Sequence, residues 1–443
     1  MPRLCAPDAT SDAPHSSPLT PHSSILSISP IITLSPLITP SMQPKKHFTV
    51  IGLSDNHHQW LAPDIRDRIA RGCVFSGGLR HHELTRHLLP PGARWIDITV
   101  PLARTFEAYT PYPDIVVFAS GDPLFYGFAA TLRREFPEAD IEVLPTFNSL
   151  QMLAHRILLP YQDMRCVSLT GRPWDAFDEA LIRGEALIGL LTDRRKTPPV
   201  IARRMAEYGF TNYAVTVGEQ LGNELSQRIR TFSVEGLAGT PEADFEQPNC
   251  LILQQTTGAA PLPFGLPEAD FELLDHRANM ITKAPIRLAS LAALGLPHRT
   301  CLWDIGFCTG SVSIEARRMA PHMQVESFEI RPECEAIIQT NAHRFSAPGI
   351  HVHMGDFLLQ PLDALPHPDA IFVGGHGGHL ADIIERCLHY LQPGGCIVLN
   401  AVSTDSIEHF DLSVQQLHLT TTLRQRICLD QHNPILILRA EKI

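Results

Sequence analysis

The sequence predicts an α/β protein of two domains, and three features of it do so. At 443 residues the chain is too long for one ordinary core and suits two or three domains. Short apolar runs alternate with helical stretches from Phe48 to Leu253, and the alternation resumes at Leu302 and continues to the end. Between the two, residues 256–267 hold three prolines and two glycines, which is turn and linker chemistry. The expected divisions are an extension over residues 1–46, a first domain over 47–255, the linker over 256–267 and a second domain over 268–443.

Composition narrows the function classes. A hydrophobic fraction of 44% with 19% charged residues is that of a globular chain, and no apolar run approaches a membrane span, so no membrane partner is expected. The net charge of -11 argues against a general nucleic-acid binder, and an anionic substrate would need a local basic pocket. Ten cysteines are scattered without a C-x-x-C pair, which indicates neither a zinc site nor a disulfide framework and reads as a reducing cytoplasm.

Taken in order, residues 1–41 are rich in Ser, Pro and Thr, almost uncharged and interrupted by Pro30, Pro36 and Pro40, so disorder is expected there. Met42 directly precedes Gln-Pro-Lys-Lys-His and the first strand, and translation is expected to start at it. Phe48–Gly52, Cys73–Gly78 and Ile115–Ser120 read as strands, the last running into Gly121-Asp122-Pro123; strand ends in such sheets carry the sites. Further strands are expected at Ile141–Leu144, Cys166–Leu169, Ala186–Leu191, Asn212–Val217 and Cys250–Leu253, so that the first half from Phe48 on makes a complete α/β unit of its own beside the one in the second half. In the second domain, Leu380, Ile383, Ile384, Cys387, Leu388 and Leu391 have the spacing of an amphipathic helix.

The stretch from Leu302 to Ala316 is the chemical centre of the second half. An apolar run containing Asp304, the small loop Gly306-Phe307-Cys308-Thr309-Gly310, and a helical pattern read as strand, tight turn and helix. Gly306 and Gly310 are expected to let backbone approach a ligand, and the first N–H groups of the helix supply donors and a positive dipole end. The order D-x-G-x-x-T-G is not the G-x-G-x-x-G of a dinucleotide site; it resembles the first motif of Rossmann-like methyltransferases, which bind S-adenosylmethionine. Glu329 follows Gly310 by nineteen residues at the end of the run Val325–Ile330, where a carboxylate accepts ribose hydroxyls. The plain alternative is a βα turn with Asp304 as its buried cap. Gly374-Gly375-His376-Gly377-Gly378-His379 follows the run Ala370–Val373; the loop admits a large substrate, His376 is a candidate for proton transfer, and no third ligand joins the two histidines as a metal site.

The first half carries motifs of a known family. Val50-Ile51-Gly52, Ser76-Gly77-Gly78-Leu79-Arg80-His81, Ser120-Gly121-Asp122-Pro123-Leu124, Ser168-Leu169-Thr170-Gly171-Arg172-Pro173 and Gly218-Glu219-Gln220-Leu221-Gly222 resemble the landmarks of the tetrapyrrole (corrin and porphyrin) methylases. That resemblance implies a tetrapyrrole methylase fold of two α/β subdomains enclosing S-adenosylmethionine, with Gly121, Asp122 and Pro123 lining the cleft. Glycines and a proline usually follow the first strand in that family; Ser54-Asp55-Asn56-His57-His58 stands here instead.

Phe264-Gly265-Leu266-Pro267, Met280-Ile281-Thr282-Lys283, Trp303-Asp304-Ile305-Gly306, the helix opening Gly310–Ala316 and Gly374-Gly375 resemble the decarboxylating methyltransferases of the corrin pathway. The resemblance implies a Rossmann-like class I methyltransferase domain behind the first, a second S-adenosylmethionine site, and a corrin-pathway tetrapyrrole as substrate. The expected reaction is methylation at carbons 5 and 15 with loss of the ring-C acetate carboxyl, in cobalamin biosynthesis. Its cofactor residues would be Thr282, Asp304, Gly306, Phe307, Cys308, Thr309, Gly310, Glu329 and Asp356. Arg172, Lys283, Gly374 and Gly375 are the substrate candidates, with Arg194, Arg195 and Arg287 as further cations for its carboxylates. Thr282 also reads as the N-cap of the following helix.

Cys308 stands where this pattern usually has glycine, and a position that needs only a small side chain is expected, not one that needs positive φ. A cytoplasmic homo-oligomer without nucleic acid is expected. The runner-up readings are methylation of a nucleic-acid base, disfavoured because Val373-Gly374-Gly375-His376 replaces the usual Asn/Asp-Pro-Pro-Tyr, and a non-catalytic domain whose loop Cys308 has spoiled.

Overall fold

Three sheets organise the computed structural model, which describes residues 45–258, 263–277, 279–430 and 433–442. The expectations for residues 1–44, including a start at Met42, and for linker residues 259–262 lie outside the described residues. From Lys46 onward the chain forms one compact unit.

The first sheet contains β1 (His47–Leu53), β2 (Val74–Gly77), β3 (Arg94–Asp97), β4 (Asp114–Ser120) and β5 (Asp140–Leu144), in the order β3-β2-β4-β1-β5 and all parallel. The two central strands are continuous apolar runs, as strands covered on both faces must be. Phe48, Val50, Val117 and Phe118 are fully buried in them.

The second sheet joins β6 (Arg165–Ser168), β7 (Leu187–Leu191), β8 (Tyr213–Glu219), β9 (Arg228–Ser233) and β10 (Asn249–Gln255) in the order β6-β7-β10-β8-β9. Only β6 and β7 are parallel; β10 is antiparallel to β7 and β8, and β9 to β8. The α/β unit expected for the first half is therefore divided between a parallel and a mixed sheet, and β9 was not foreseen. Its alternation Arg228, Arg230 gives an edge strand whose two guanidiniums grip the buried Glu219 of β8, at 2.6 and 2.8 Å.

The third sheet has β11 (Cys301–Ile305), β12 (Gln324–Glu329), β13 (Ile350–Met354), β14 (Ala370–Val373), β15 (Cys396–Ala401), β16 (Thr420–Ile427) and β17 (Ile435–Glu441). Their order is β13-β12-β11-β14-β15-β17-β16, with the first five parallel; β17 is antiparallel to both β15 and β16, so β16 runs in the direction of the first five. The expected alternation of strands and helices thus holds only as far as β15 and the helix Thr404–Gln416; an antiparallel hairpin closes the sheet. The amphipathic spacing after residue 379 is the helix Leu380–Tyr390, with Leu380, Ile383, Ile384 and Cys387 buried.

The two halves meet through the helices Asp175–Ile182 and Pro198–Glu207 of the first and Ser311–Met319 and Glu333–Arg344 of the second. Asp178 is fully buried, takes both Nε and Nη2 of Arg204 at 2.8 and 2.6 Å, and feels the buried Arg317 from the other half. The Tyr208 and His343 rings meet edge-on at 4.7 Å, and His343 Nε2 lies 3.3 Å from Glu207 Oε1.

Candidate active site

β11 has β12 on one side and β14 on the other, so the loops leaving their C-terminal ends diverge and open a crevice at the switch point of the third sheet. A cavity of about 1210 Å³ occupies it. Pockets for one drug-sized ligand run to roughly 300–1,000 Å³, so this one has space for part of a second molecule. Thr282, Lys283, Asp304, Gly306, Phe307, Cys308, Thr309, Glu329, Asp356, Gly374, Gly375 and His376 all line it. Sequence reasoning had named these twelve from five separate stretches.

The expectation for the loop glycines is extended: both are needed for contacts within the protein. Gly306 has φ 75°, and a Cβ there would lie 2.5 Å from the Gly375 backbone nitrogen and oxygen. Gly310 has φ 73°, and its Cβ would lie 2.3 Å from Cγ1 of Ile338. Both let the protein's own backbone and the helix Glu333–Arg344 close in, and Gly310 is not among the cavity's lining residues.

Cys308 corrects a second expectation. Its φ is 51°, so the position does need the left-handed conformation and not merely a small side chain. It sits at a corner of the turn closed by Gly310 N–H donating to Phe307 O at 2.9 Å.

Asp304 is fully buried beneath the helix Ser311–Met319, where Oδ2 accepts the Ser313 N–H at 3.1 Å and the Ser313 hydroxyl. It is therefore a buried cap as well as a cavity residue. Burial pushes its carboxyl up to about 7, the Ser313 hydroxyl and N–H hold it back, and nearby Glu329 adds to the rise. Its Oδ1 and the Thr309 Oγ1 are buried without a hydrogen-bond partner among the described residues. Buried polar atoms are almost always paired, so two orphans beside one cavity fit a polar ligand such as the amino-acid end of S-adenosylmethionine.

Glu329, at the end of β12, accepts from the Cys308 N–H at 3.0 Å, the Ile330 N–H at 2.9 Å and the Arg331 guanidinium. Burial alone would raise its pKa; the Arg331 bonds and the backbone donors more than offset this and hold it below the ordinary value. Arg331 was not foreseen, because nothing in Glu-Ile-Arg-Pro marks an arginine that folds back two residues. Asp356 lies in the loop after β13 and receives the Leu358 N–H at 2.9 Å.

Two expectations around the helix Ala284–Leu294, Thr282 as its N-cap and Arg287 as a substrate cation, are corrected. The helix Ala284–Leu294 has Lys283 at its cap position, so Thr282 is one residue too early to cap it. Arg287 is fully buried, paired with Glu315 and bonded to the carbonyls of Thr282 and Leu266, so it holds this segment in place and cannot meet a substrate. His376 Nε2 is 3.1 Å from Ser406 Oγ, which is 2.9 Å from Ser403 Oγ. Burial lowers the His376 pKa, and His409 adds to this. The hairpin residues Ile427, Leu429, Asn433 and Ile435 complete the cavity wall and were missed. Only the recognition of β16 and β17 as a hairpin would have found them.

In the first half, Gly121, with φ 60°, turns the chain directly after β4, and Asp122 Oδ1 accepts the Leu124 N–H at 2.9 Å. The exposed Arg172 reaches across from the end of β6: its guanidinium lies 5.1 Å from the Tyr126 ring centroid and donates to Ser168 Oγ at 2.9 Å. The structure thus brings Arg172 and the segment after Pro123 together. Arg194 and Arg195 are exposed on the loop after β7, beyond Asp193, whose carboxylate collects the N–H groups of Gly171, Arg195 and Lys196. In the departing loop after β1, Asp55 pairs with Arg80 at 2.8 Å, and Arg80 also donates to Ser120 Oγ at 2.8 Å.

Among the described residues no helix is long and apolar enough to cross a membrane, and no group of three His, Cys, Asp or Glu is placed to hold a metal ion.

A crevice at the switch point of a 3-2-1-4-5-7-6 sheet, behind a domain of two further α/β sheets, is a ligand site by topology, and the family matches define the class: a methyltransferase that uses S-adenosylmethionine. Residues 86–238 match the model of the tetrapyrrole (corrin/porphyrin) methylases, and residues 273–435 match that of the precorrin methyltransferase domain. A precorrin-6Y C(5,15)-methyltransferase [decarboxylating] from Sinorhizobium sp is 34% identical over 81% of this chain and 85% of its own. Two shorter relatives come from Salmonella typhimurium. A cobalt-precorrin-6B C(15)-methyltransferase (decarboxylating) is 29% identical over 37% of this chain and 89% of its own. A cobalt-precorrin-7 C(5)-methyltransferase is 27% identical over 47% of this chain and 98% of its own. The chain belongs to the precorrin-6Y C5,15-methyltransferase (decarboxylating) family.

Proposed function

We propose that this protein methylates a precorrin at carbons 5 and 15 and removes the carboxyl of the ring-C acetate, with one S-adenosylmethionine site in each domain. The observation that carries this reading is the second-domain cavity, with space beyond that of a typical single ligand and edged by the unpaired Asp304 Oδ1 and Thr309 Oγ1. The first-domain site rests on the Gly121-Asp122-Pro123 turn at the end of β4 and on Arg172 beside it.

When bound, the cofactor supplies an electrophilic methyl group on a sulfonium. The chain's part is to hold, orient and dry the site. Asp304 and Thr309 would hold the amino-acid end, and Glu329 the ribose, once Arg331 shares or yields its place. Phe307, Phe328, Phe372 and Ile383 make apolar wall and exclude water. Lys283 would meet a substrate carboxylate, and the Gly374-Gly375 turn leaves room for the macrocycle. His376, kept neutral by burial, is placed to accept a proton and pass it along Ser406 and Ser403. Asp122 and Arg172 would serve the first site. The cytoplasm and an assembly of several copies complete the reading.

Mass spectrometry after incubating the full chain with a metal-free precorrin and S-adenosylmethionine tests it. The expected product has gained two methyl groups and lost one carbon dioxide. A product that keeps its carboxyl would overturn the second-domain assignment. Calorimetric titration with S-adenosylhomocysteine should show two sites; a single site would defeat the two-cofactor reading.

A further inference from the structure

Cys308 forms part of the cavity wall, whereas Cys334, on the helix Glu333–Arg344, lies behind it and is fully buried. Both belong to one apolar cluster with Leu274, Phe307 and Ile338, and the two thiols are near enough to influence each other's protonation. One thiol thus faces the space that a ligand fills, with a second thiol directly in its rear. The backbone N–H of Cys308 also donates to Glu329, so movement of this residue is felt by the acid proposed for the ribose.

We propose that Cys308 and Cys334 are a peroxide-sensitive thiol pair, shielded by the cofactor, whose oxidation to a disulfide weakens the second cofactor site. The effect on binding rests on the proposed cofactor role of this cavity; the thiol chemistry does not. The Cys334 thiol and the Arg331 guanidinium favour the thiolate at Cys308 and bring its pKa down to about 7, while burial works against them. In the first step the Cys308 thiolate attacks one oxygen of hydrogen peroxide, the O–O bond breaks, and the hydroxide released takes up a proton and leaves as water. The resulting sulfenic acid is attacked by the Cys334 sulfur, whose proton leaves with the hydroxyl as a second water. Two thiols and one peroxide become one disulfide and two waters. A dithiol reductant reverses the bond by exchange.

A bond between the two sulfurs ties the corner of the turn to the helix behind it. Cys308 already occupies a conformation unfavourable for a side chain, so the tether adds a constraint where the loop has least freedom to adjust. A ligand in the cavity covers Cys308 and keeps peroxide out.

The test treats the reduced full chain with hydrogen peroxide, with and without saturating S-adenosylhomocysteine, and maps cross-linked peptides by mass spectrometry. A Cys308–Cys334 cross-link should form in the free protein, slow markedly in the liganded one, and disappear with dithiothreitol. Affinity of the second site for S-adenosylhomocysteine should fall by about tenfold or more on oxidation. Cys334→Ser should instead give a dimedone-trapped sulfenic acid at Cys308 and no cross-link. Oxidation of the exposed Cys73 and Cys428 with Cys308 and Cys334 still reduced would overturn the pair. A cross-link that leaves affinity unchanged, or that forms equally fast with ligand bound, would overturn the switch. If the reduced second domain does not bind S-adenosylhomocysteine at all, the cofactor reading and the switch fall together, while the cross-link still decides the pair.

Discussion

The Arg331 guanidinium grips both carboxylate oxygens of Glu329, with Nε 2.9 Å from Oε1 and Nη2 2.6 Å from Oε2. A ligand hydroxyl reaches this acid only by sharing it with Arg331 or moving Arg331 aside. Glu329→Ala removes the acceptor and also strands the arginine. Charge-assisted hydrogen bonds contribute roughly 1.5 to 3 kcal/mol each, so cofactor affinity of the second site should fall about ten- to more than a hundredfold. In product analysis the decarboxylated, carbon-15-methylated species should drop while carbon-5 methylation continues. Both methylations at the parental rate would remove Glu329 from the site.

Asp122→Ala should have the complementary effect. The lost acceptor for the Leu124 N–H costs about 0.5 to 1.5 kcal/mol of stability, a small drop in melting temperature. Methylation at carbon 5 should fall far more than that drop explains, leaving a decarboxylated product one methyl short. A variant that keeps both methylations would mark Asp122 as a turn residue only.

Cys308→Gly should stabilise the protein. At φ 51° the cysteine Cβ carries a left-handed cost of roughly 1–2 kcal/mol that glycine does not. For domains of this size each kcal/mol is about 2–4 °C in melting temperature, within reach of scanning calorimetry. A lower melting temperature would show that contact with Cys334 outweighs the strain.

Asp304 gives a pH dependence with a definite sign. Its folded pKa of about 7 lies above the ordinary 3.8, so between those values the folded state holds the proton more tightly than the unfolded chain. Its contribution to stability is therefore fully present at low pH and is lost as pH rises towards about 7. Asp304→Asn cannot titrate. The variant's melting temperature relative to the parent's should rise between about pH 5 and about pH 8, and a difference flat across that range would contradict the buried, proton-holding carboxyl.

Asp178 tests the contact between the halves. Its removal leaves Arg204 without its carboxylate partner and withdraws the buried acid that acts most strongly on Arg317. Breaking a buried pair from one side costs about 3–5 kcal/mol, so Asp178→Ala should lower the denaturant midpoint clearly. A change under about 1 kcal/mol would place this group outside the stabilising contacts.

The parallel strands and the cavity were legible because their signals are local. An apolar run, a glycine turn and an acid at the next strand end occur within thirty residues, from Leu302 to Glu329, and fix a crevice by sheet topology alone. What stayed hidden depends on pairing across the chain. β9 and β16 are largely exposed, with charged residues interrupting the apolar alternation, and β17, though it opens with the apolar run Ile435–Leu438, takes its reversed direction from its neighbours; the place of all three in a sheet is set by partners. The burial of Arg287 by Glu315 and the return of Arg331 onto Glu329 are three-dimensional facts that a list of cations does not contain. The φ of Cys308 belongs to the same group, since a cysteine codon says nothing of the turn it must complete.

Gly306 and Gly375 meet backbone to backbone, so the loop after β11 and the loop after β14 behave as one rigid frame. For anyone redesigning substrate choice, that frame is the part to leave untouched, because any side chain at Gly306 would drive the two loops apart. The variable positions for a library lie around it, at His379 and the hairpin residues Leu429 and Asn433, which reach the cavity without carrying its backbone.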